Sequence, residues 1–438
     1  MKALVTAFFT LLIALPAWAE VKIEDVTSPG GIKAWLVEEH SIPFTALEIR
    51  FQGGTSLDAP GKRGAIYLMT ALLEEGADDL DARAFAKRQE ELAASFEYDA
   101  YDDAVSISAR FLTENRDEAV ALLRSTIHGP RFDQDAVDRV RGQVISGLMS
   151  DAKDPRDIAG AAFTKMAFGD HPYATDGKGT VESVTALTRD DIVAAHEAVF
   201  ARDRLFVSAV GDITPEELGA LLDTLFEGLV ETGAPIPGRA DVTIDGGETV
   251  IEFGTPQSVV IFGQRGMERD DDDFFAAYVM NQILGAGGFE SRLMNEVREK
   301  RGLTYGVYSY LNPKDLAAVY MGSVSSSNDR VAEAIDVIRT EWRHMAEDGV
   351  TEKELDDAKT YLTGAYPLRF DGNSQIASIM AGMQLQGLPI DYIATRNDKV
   401  NAVTLDDVNR VARELLDPDN LHFVVVGQPD GLESSAGN

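Results

Sequence analysis

Two stretches of this chain repeat each other at a fixed distance, and no other feature restricts its fold as much. Val184-Thr-Ala-Leu-Thr-Arg-Asp-Asp191 is echoed by Val400-Asn-Ala-Val-Thr-Leu-Asp-Asp407. Asp203-Arg-Leu-Phe-Val-Ser-Ala-Val-Gly211 is echoed by Asp419-Asn-Leu-His-Phe-Val-Val-Val-Gly427. Both pairs are 216 residues apart. One register held across a helix, a loop and a strand marks a duplicated domain.

Each copy predicts the same local structure. Thr188 and Thr404 are placed to N-cap helices, with aspartates in the first turn where the helix dipole favours them. The apolar runs Leu205 to Val210 and Leu421 to Val426, each ending at glycine, read as buried strands. In the first half, Lys33 to Val37 and Ala46 to Phe51 read as strands. Lys62 to Glu75, Ala82 to Ala94 and Glu114 to Ile127 read as helices. The second half repeats the order, with strands near Val250 to Phe253 and Ser258 to Phe262. Its helices are Asp273 to Leu284, Asp329 to Glu347 and Glu352 to Tyr366. Strands beside strands and helices in blocks predict an α+β fold of two homologous domains, each a mainly antiparallel sheet packed against helices. The divisions are a leader at 1–19, a first domain at 20–232, a linker at 233–240, a second domain at 241–429 and a flexible tail at 430–438.

The start of the chain bears on compartment. Lys2, the apolar run Leu4 to Leu15 and Ala17-Trp18-Ala19 before Glu20 have the form of a cleaved export signal, with cleavage expected after Ala19 and a soluble product in the periplasm. The run is shorter than the roughly 20 apolar residues of a membrane-spanning helix. There is no cysteine, so the fold uses neither disulfide nor thiolate ligand. Against 73 acidic residues stand 40 basic ones, a net charge of −33. Such a charge argues against nucleic acid or an anionic membrane surface as partner.

Metal and nucleophile chemistry find little support in the residues. A hydrolytic zinc site takes about three protein ligands, usually histidine and carboxylate. The histidines are His40, His128, His171, His196, His344 and His422, and no two are spaced to share a helical turn. There is no Gly-x-Ser-x-Gly elbow and no Walker-type loop. Gly285-Ala-Gly-Gly288 follows a helix rather than a strand and reads as a helix end and tight turn. The stretch Leu284 to Ser309 is the most informative. Phe289 to Lys300 predicts an amphipathic helix with Phe289, Leu293 and Val297 on one stripe. Gly302 ends it, and Thr304 to Tyr310 reads as a strand. Such a hairpin would bring Arg298 and Tyr305 to one surface.

Here the residues resemble a known family. Gly-Gly-Phe-x-Ser-Arg-Leu, followed by Val-Arg-Glu-Lys-Arg-Gly-Leu-x-Tyr, is similar to the C-terminal domain signature of the pitrilysin/insulinase (M16) peptidases. Val210 to Glu217, His171-Pro-Tyr173, Gly179 to Ser183 and Val350 to Lys359 extend the likeness over nearly the whole mature chain. The resemblance implies the family's duplicated metallohydrolase fold. It also implies a zinc motif, His-x-x-Glu-His on a helix, with a distal glutamate some 75 residues on. Pro60-Gly-Lys-Arg-Gly64 matches the approach to that helix. Tyr67 and Ala71 then stand at the histidine positions, Thr70 at the general-base position and Gly147 near the distal glutamate. The chain is expected to bind no zinc or other cofactor. Arg298 and Tyr305 match a family pair, seven residues apart, that holds substrate carbonyls and hydrogen-bonds the oxyanion. The resemblance implies a non-zinc subunit that contributes this pair, in trans, to peptide hydrolysis by a homologous zinc-bearing partner subunit, with peptides as substrates. Alone, the chain is expected to be inactive. A catalytically silent scaffold or peptide-binding homologue is the alternative; a self-sufficient metallopeptidase is disfavoured by ligand chemistry.

Overall fold

The structure is a computed structural model that describes residues 22–433. The expected leader and the end of the expected tail lie outside the described residues.

The first half opens with β1 (Glu24–Thr27), β2 (Lys33–Glu38), β3 (Phe44–Gln52) and α1 (Ala65–Ala71). A two-residue hairpin, β4 (Gly76–Ala77) and β5 (Leu80–Asp81), leads to α2 (Ala82–Glu91), β6 (Ser95–Ala100) and β7 (Ala104–Leu112). Helices α3 (Arg116–His128), α4 (Gln134–Asp151), α5 (Pro155–Phe168), α6 (Val181–Ala186) and α7 (Arg189–Val199) follow in a block. Strand β8 (Leu205–Gly211) and helix α8 (Pro215–Phe226) close it. The second half runs β9 (Gly247–Glu252), β10 (Gln257–Arg265), α9 (Phe274–Asn281), β11 (Val307–Lys314) and β12 (Ala317–Ser327). Then come α10 (Val331–Asp348), α11 (Glu352–Ala365), α12 (Asn373–Leu385), α13 (Tyr392–Ala402), α14 (Leu405–Leu415) and β13 (His422–Gly427).

The two sheets share one topology. Strand order is β1-β2-β8-β3-β7-β6 in the first and β11-β12-β10-β13-β9 in the second. Read from opposite ends, β2, β8, β3, β7 and β6 correspond to β9, β13, β10, β12 and β11. Even the one parallel contact recurs, between β2 and β8 and between β9 and β13. The fold is α+β with mainly antiparallel sheets, as the duplicated pattern predicts.

Side-chain chemistry explains the repeated elements. Thr188 and Asp191 close a reciprocal capping box on α7, and Thr404 and Asp407 close its counterpart on α14. Each box satisfies two backbone donors that a helix start leaves orphaned. On β3, Leu47, Ile49 and Phe51 enter the helix-covered core, while Ala46 faces the other way into a smaller cluster. Burial on both faces is why these strands read as continuous apolar runs.

The second cover of each sheet comes from the opposite half. Helix α5 buries Ala159, Phe163 and Ala167, one per turn, against Val424 and Val426 of β13 and Val319 of β12. Gly263 of β10 has no side chain because the Phe163 ring occupies the space: a β-carbon there would lie 2.7 Å from it. Reciprocally, α12 packs Ala377 and Met380 against Ala46 and Val210 of the first sheet. Arg50 donates to Ser378 Oγ at 3.0 Å, and Gln384 Nε2 to the Val207 carbonyl and Ser208 Oγ, each at 2.8 Å. Helices α5 and α12 are equivalent in the repeat, so the halves exchange one helix each.

Several boundaries differ from the sequence expectation. Helix α1 is confined to Ala65–Ala71, and α9 gives way to a π-type turn over Gln282–Ala286, so the glycine run does end a helix. Segment 233–240, the expected linker, is hydrogen-bonded to its surroundings: Ala234 N bonds the Ala198 carbonyl at 3.0 Å, Ala240 N bonds Leu316 O at 2.9 Å, and His171 Nε2 donates to Gly238 O at 3.0 Å. Among the described residues, no helix is long and apolar enough to cross a membrane.

Candidate functional site

The helix where the resemblance implies a zinc motif carries no ligand set. Thr70 is 2% exposed, and its hydroxyl donates to the Ile66 carbonyl at 2.9 Å. Tyr67 and Ala71 are half-buried, one turn apart on α1, and Gly147 is exposed on α4, which packs against α1. Ala71 and Gly147 have no side-chain donor atom. One turn after Gly147, Asp151 accepts from Lys178 Nζ at 2.8 Å. That bond holds the Lys178 ammonium above its ordinary pKa, with Tyr67 near enough to contribute weakly. An ammonium here repels a divalent cation rather than binding one. The residues present therefore do not fit zinc. Elsewhere among the described residues, no three His, Asp or Glu side chains form a group that could hold a metal ion.

The histidines are engaged individually. His40 lies between Asp212 and Glu38, at 2.8 and 3.1 Å, and those two hydrogen bonds raise its pKa. His196 donates Nε2–H to the Ile127 carbonyl at 2.9 Å, and burial lowers its pKa to about 4. His128 similarly bonds the Leu225 carbonyl at 2.9 Å.

Arg298 and Tyr305 are brought together. Leu293 and Val297 are fully buried and anchor the turn to the core. The backbone over Met294–Glu299 is π-helical rather than α-helical, which rotates Arg298 outward beside the buried Val297. The chain then reverses at Gly302, whose φ is +61°. Leu303 N bonds the Val297 carbonyl at 3.0 Å and Gly302 N bonds Arg298 O at 2.7 Å. Thr304 Oγ1 donates to the Ser325 carbonyl at 2.7 Å, fixing the loop to β12. Both side chains line one open cleft of about 430 Å³, with Gln257, Glu299 and Ser325 to Ser327.

Two expectations fail here. Tyr305 precedes the strand, which begins only at Val307. Its side chain stands 87% exposed, with no hydrogen-bond partner among the described residues. Phe289 is not on the buried stripe: it is 61% exposed, in a 3₁₀ turn at Gly288–Glu290 that interrupts the helical period. The Arg298 guanidinium lies over its ring, 4.5 Å from the centroid. Glu299 pairs with Arg298 at 3.5 Å across partly exposed side chains, a contact worth under about 1 kcal/mol. The cleft thus presents a phenolic O–H and a guanidinium held by a ring, with no histidine beside them. These are donors for carbonyl or oxyanion oxygens, not a self-contained hydrolytic centre. Sequence reasoning missed the Phe289 stack and the Lys178–Asp151 pair. Phe289 lies nine residues before Arg298, and helical periodicity put it on the buried stripe, so the sequence carried no signal for the first; nothing in it linked Lys178 to α1 either.

Comparison with known proteins finds related chains. A family model described as the peptidase M16 inactive domain matches residues 186–362. A Helicobacter pylori protein named non-peptidase homolog YmxG is 28% identical over 390 residues, 89% of this chain and 90% of its own. An uncharacterized zinc protease of Streptomyces coelicolor is 28% identical over 411 residues, 90% and 87% of the two chains. The solved structure of a peptidase M16 inactive domain from Pseudomonas fluorescens superposes with a TM-score of 0.88 at 29% identity, over 94% of this chain and 99% of that one.

Proposed function

This chain belongs to the M16 peptidase family as a member without the zinc-binding residues, and on that premise we propose that it is the non-zinc subunit of a periplasmic heterodimeric peptidase. The observation that carries the proposal is an asymmetry between the halves. The first half has an apolar, hydroxyl and ammonium set where a metal site would stand, while the second displays Arg298 and Tyr305 with unspent donors in one open cleft. Tyr305 is 87% exposed and has no hydrogen-bond partner among the described residues, so its hydroxyl is free for an external oxygen atom, which supports this reading. Tyr305 O–H would donate to the oxyanion formed when the peptide carbonyl is attacked, and Arg298 would hold a neighbouring substrate carbonyl. Zinc and water activation would belong to the homologous partner subunit, and substrates would be unfolded peptides that fit an enclosed chamber.

The alternative is a silent scaffold or peptide-binding protein, favoured by the name of the Helicobacter relative. The test separates them. Mixed with a zinc-bearing homologue, the chain should confer peptidase activity that neither protein has alone. Tyr305→Phe should then lower kcat by roughly 10- to 1,000-fold, the range for loss of one oxyanion donor, with an unchanged melting temperature. An unaltered rate would reduce Tyr305 to a surface residue and favour the scaffold.

A further inference from the structure

A second cavity, of about 400 Å³, lies in the C-terminal half between α9, α12 and α13. It shares no lining residue with the Arg298–Tyr305 cleft. Its walls include the rings of Phe275, Tyr278, Tyr366 and Tyr392, and three arginines reach it: Arg269, Arg369 and Arg396. No aspartate or glutamate lines it. In a chain with a net charge of −33, that local composition is inverted.

Arg396 is the decisive group. It is 4% exposed, and its guanidinium lies 4.5 Å over the Tyr366 ring and 5.3 Å over that of Tyr278. One nitrogen, Nη1, donates to the Leu362 carbonyl at 2.8 Å and to Asn397 Oδ1 at 2.9 Å. Among the described residues, Arg269, Arg369 and Arg396 have no carboxylate within 4.0 Å. Buried charges are ordinarily paired, because desolvation without a counter-charge is costly. The acidic run Asp270 to Asp273 opens into a neighbouring depression, where Asp273 pairs with Arg410 at 2.6 Å. Arg269 instead donates to Tyr392 Oη at 2.6 Å. The Tyr366 hydroxyl, pushed up to about 12 chiefly by burial, stays protonated and available as a donor.

We propose that this cavity binds a carboxylate carried on an apolar or aromatic body, the carboxylate meeting Arg396 and Arg369 and the body lying among the rings. The planar guanidinium fork matches a carboxylate in two-point geometry. Aromatic walls with a few convergent polar groups, in a few hundred Å³, are the ordinary make-up of a small-ligand site. The same chemistry has two sources: the C-terminal residue of a peptide, or a free aromatic acid.

The experiment is a calorimetric titration of the full mature chain at low salt with three probes: N-acetyl-Ala-Ala-Phe as the free acid, the same tripeptide as its C-terminal amide, and 3-phenylpropanoate. At least one acid should bind one-to-one below about 1 mM and weaken as salt is added. The amide should bind at least about 10-fold more weakly than the tripeptide acid, or not at all. Tripeptide binding without phenylpropanoate binding assigns a peptide terminus; the reverse assigns a small free acid. Arg396→Gln and the exposed Arg369→Gln should each reduce affinity about 10-fold or more, and Arg369→Gln should leave the melting temperature unchanged. If Arg396→Gln fails to fold, Arg369→Gln decides. Equal binding of acid and amide, no acid binding at millimolar concentration, or wild-type affinity in Arg369→Gln would overturn the proposal.

Discussion

Phe163→Ala should loosen the two halves from each other, because Phe163 carries the seat of α5 on the sheet of the other half. The ring is fully buried and fills the space left by Gly263, where a β-carbon would stand 2.7 Å from it. Around it lie residues of β10, β12 and β13 and the neighbouring Ala159 and Ala167. These surfaces belong to different halves, so neither can readily collapse into the void. The upper part of the usual range for Phe→Ala then applies, about 4 kcal/mol. Denaturant titration followed by both circular dichroism and tryptophan fluorescence measures it. The expected result is a loss of about 3–5 kcal/mol, with faster proteolysis across 233–246, whose Thr243 N bonds the Ala167 carbonyl at 3.2 Å. Phe163→Leu, which keeps most of the volume, should cost under about 2 kcal/mol. A loss below about 1 kcal/mol in Phe163→Ala would refute the exchanged-helix packing, since a ring so enclosed cannot be removed at that cost.

Other expectations follow from the sites. His196 has a folded pKa of about 4 against an ordinary 6.5, so its neutral form stabilises the fold fully above pH 6.5 and that contribution is lost as pH falls toward 4. The total is about 3 kcal/mol. Asp58, raised to about 6 by burial, acts in the opposite sense, gaining stability as pH falls from 6 toward its ordinary 3.8. The two should offset in the wild type, and the stability difference between wild type and His196→Gln should shift by about 3 kcal/mol between pH 7 and 4; a constant difference would contradict the neutral-imidazole assignment. Metal analysis of the purified chain should find zinc well below one per molecule, and one tightly held zinc would contradict the ligand reading of α1. In a reconstituted pair, Arg298→Ala should lower kcat/KM by roughly 10- to 100-fold, while its partly exposed ion pair predicts a stability change under about 1 kcal/mol.

How much of this was legible in the chain divides along physical lines. The 216-residue offset determined the duplication, and it holds in the structure from α3 and α10 through to β8 and β13, because capping boxes and apolar strands are encoded by near neighbours. At the positions that the resemblance aligns with a zinc motif, identities alone were enough for the reading: Ala71 and Gly147 carry no donor atom in any fold, and Tyr67 and Thr70 offer only neutral hydroxyls. Seven residues of separation were enough to suggest that Arg298 and Tyr305 share a surface. Their presentation was not encoded locally. Helical periodicity predicted Phe289 inside and Tyr305 on a strand, whereas a 3₁₀ turn, a π-helical turn and the anchoring of Thr304 on β12 expose both. The arginine-lined cavity was equally silent, since its residues are drawn from positions 269 to 396. The exchange of α5 and α12 could not be read either, because an apolar stripe specifies that a helix is covered and says nothing of which sheet covers it. Such pairings are decided by surfaces far apart in sequence, and only the tertiary structure brings them together.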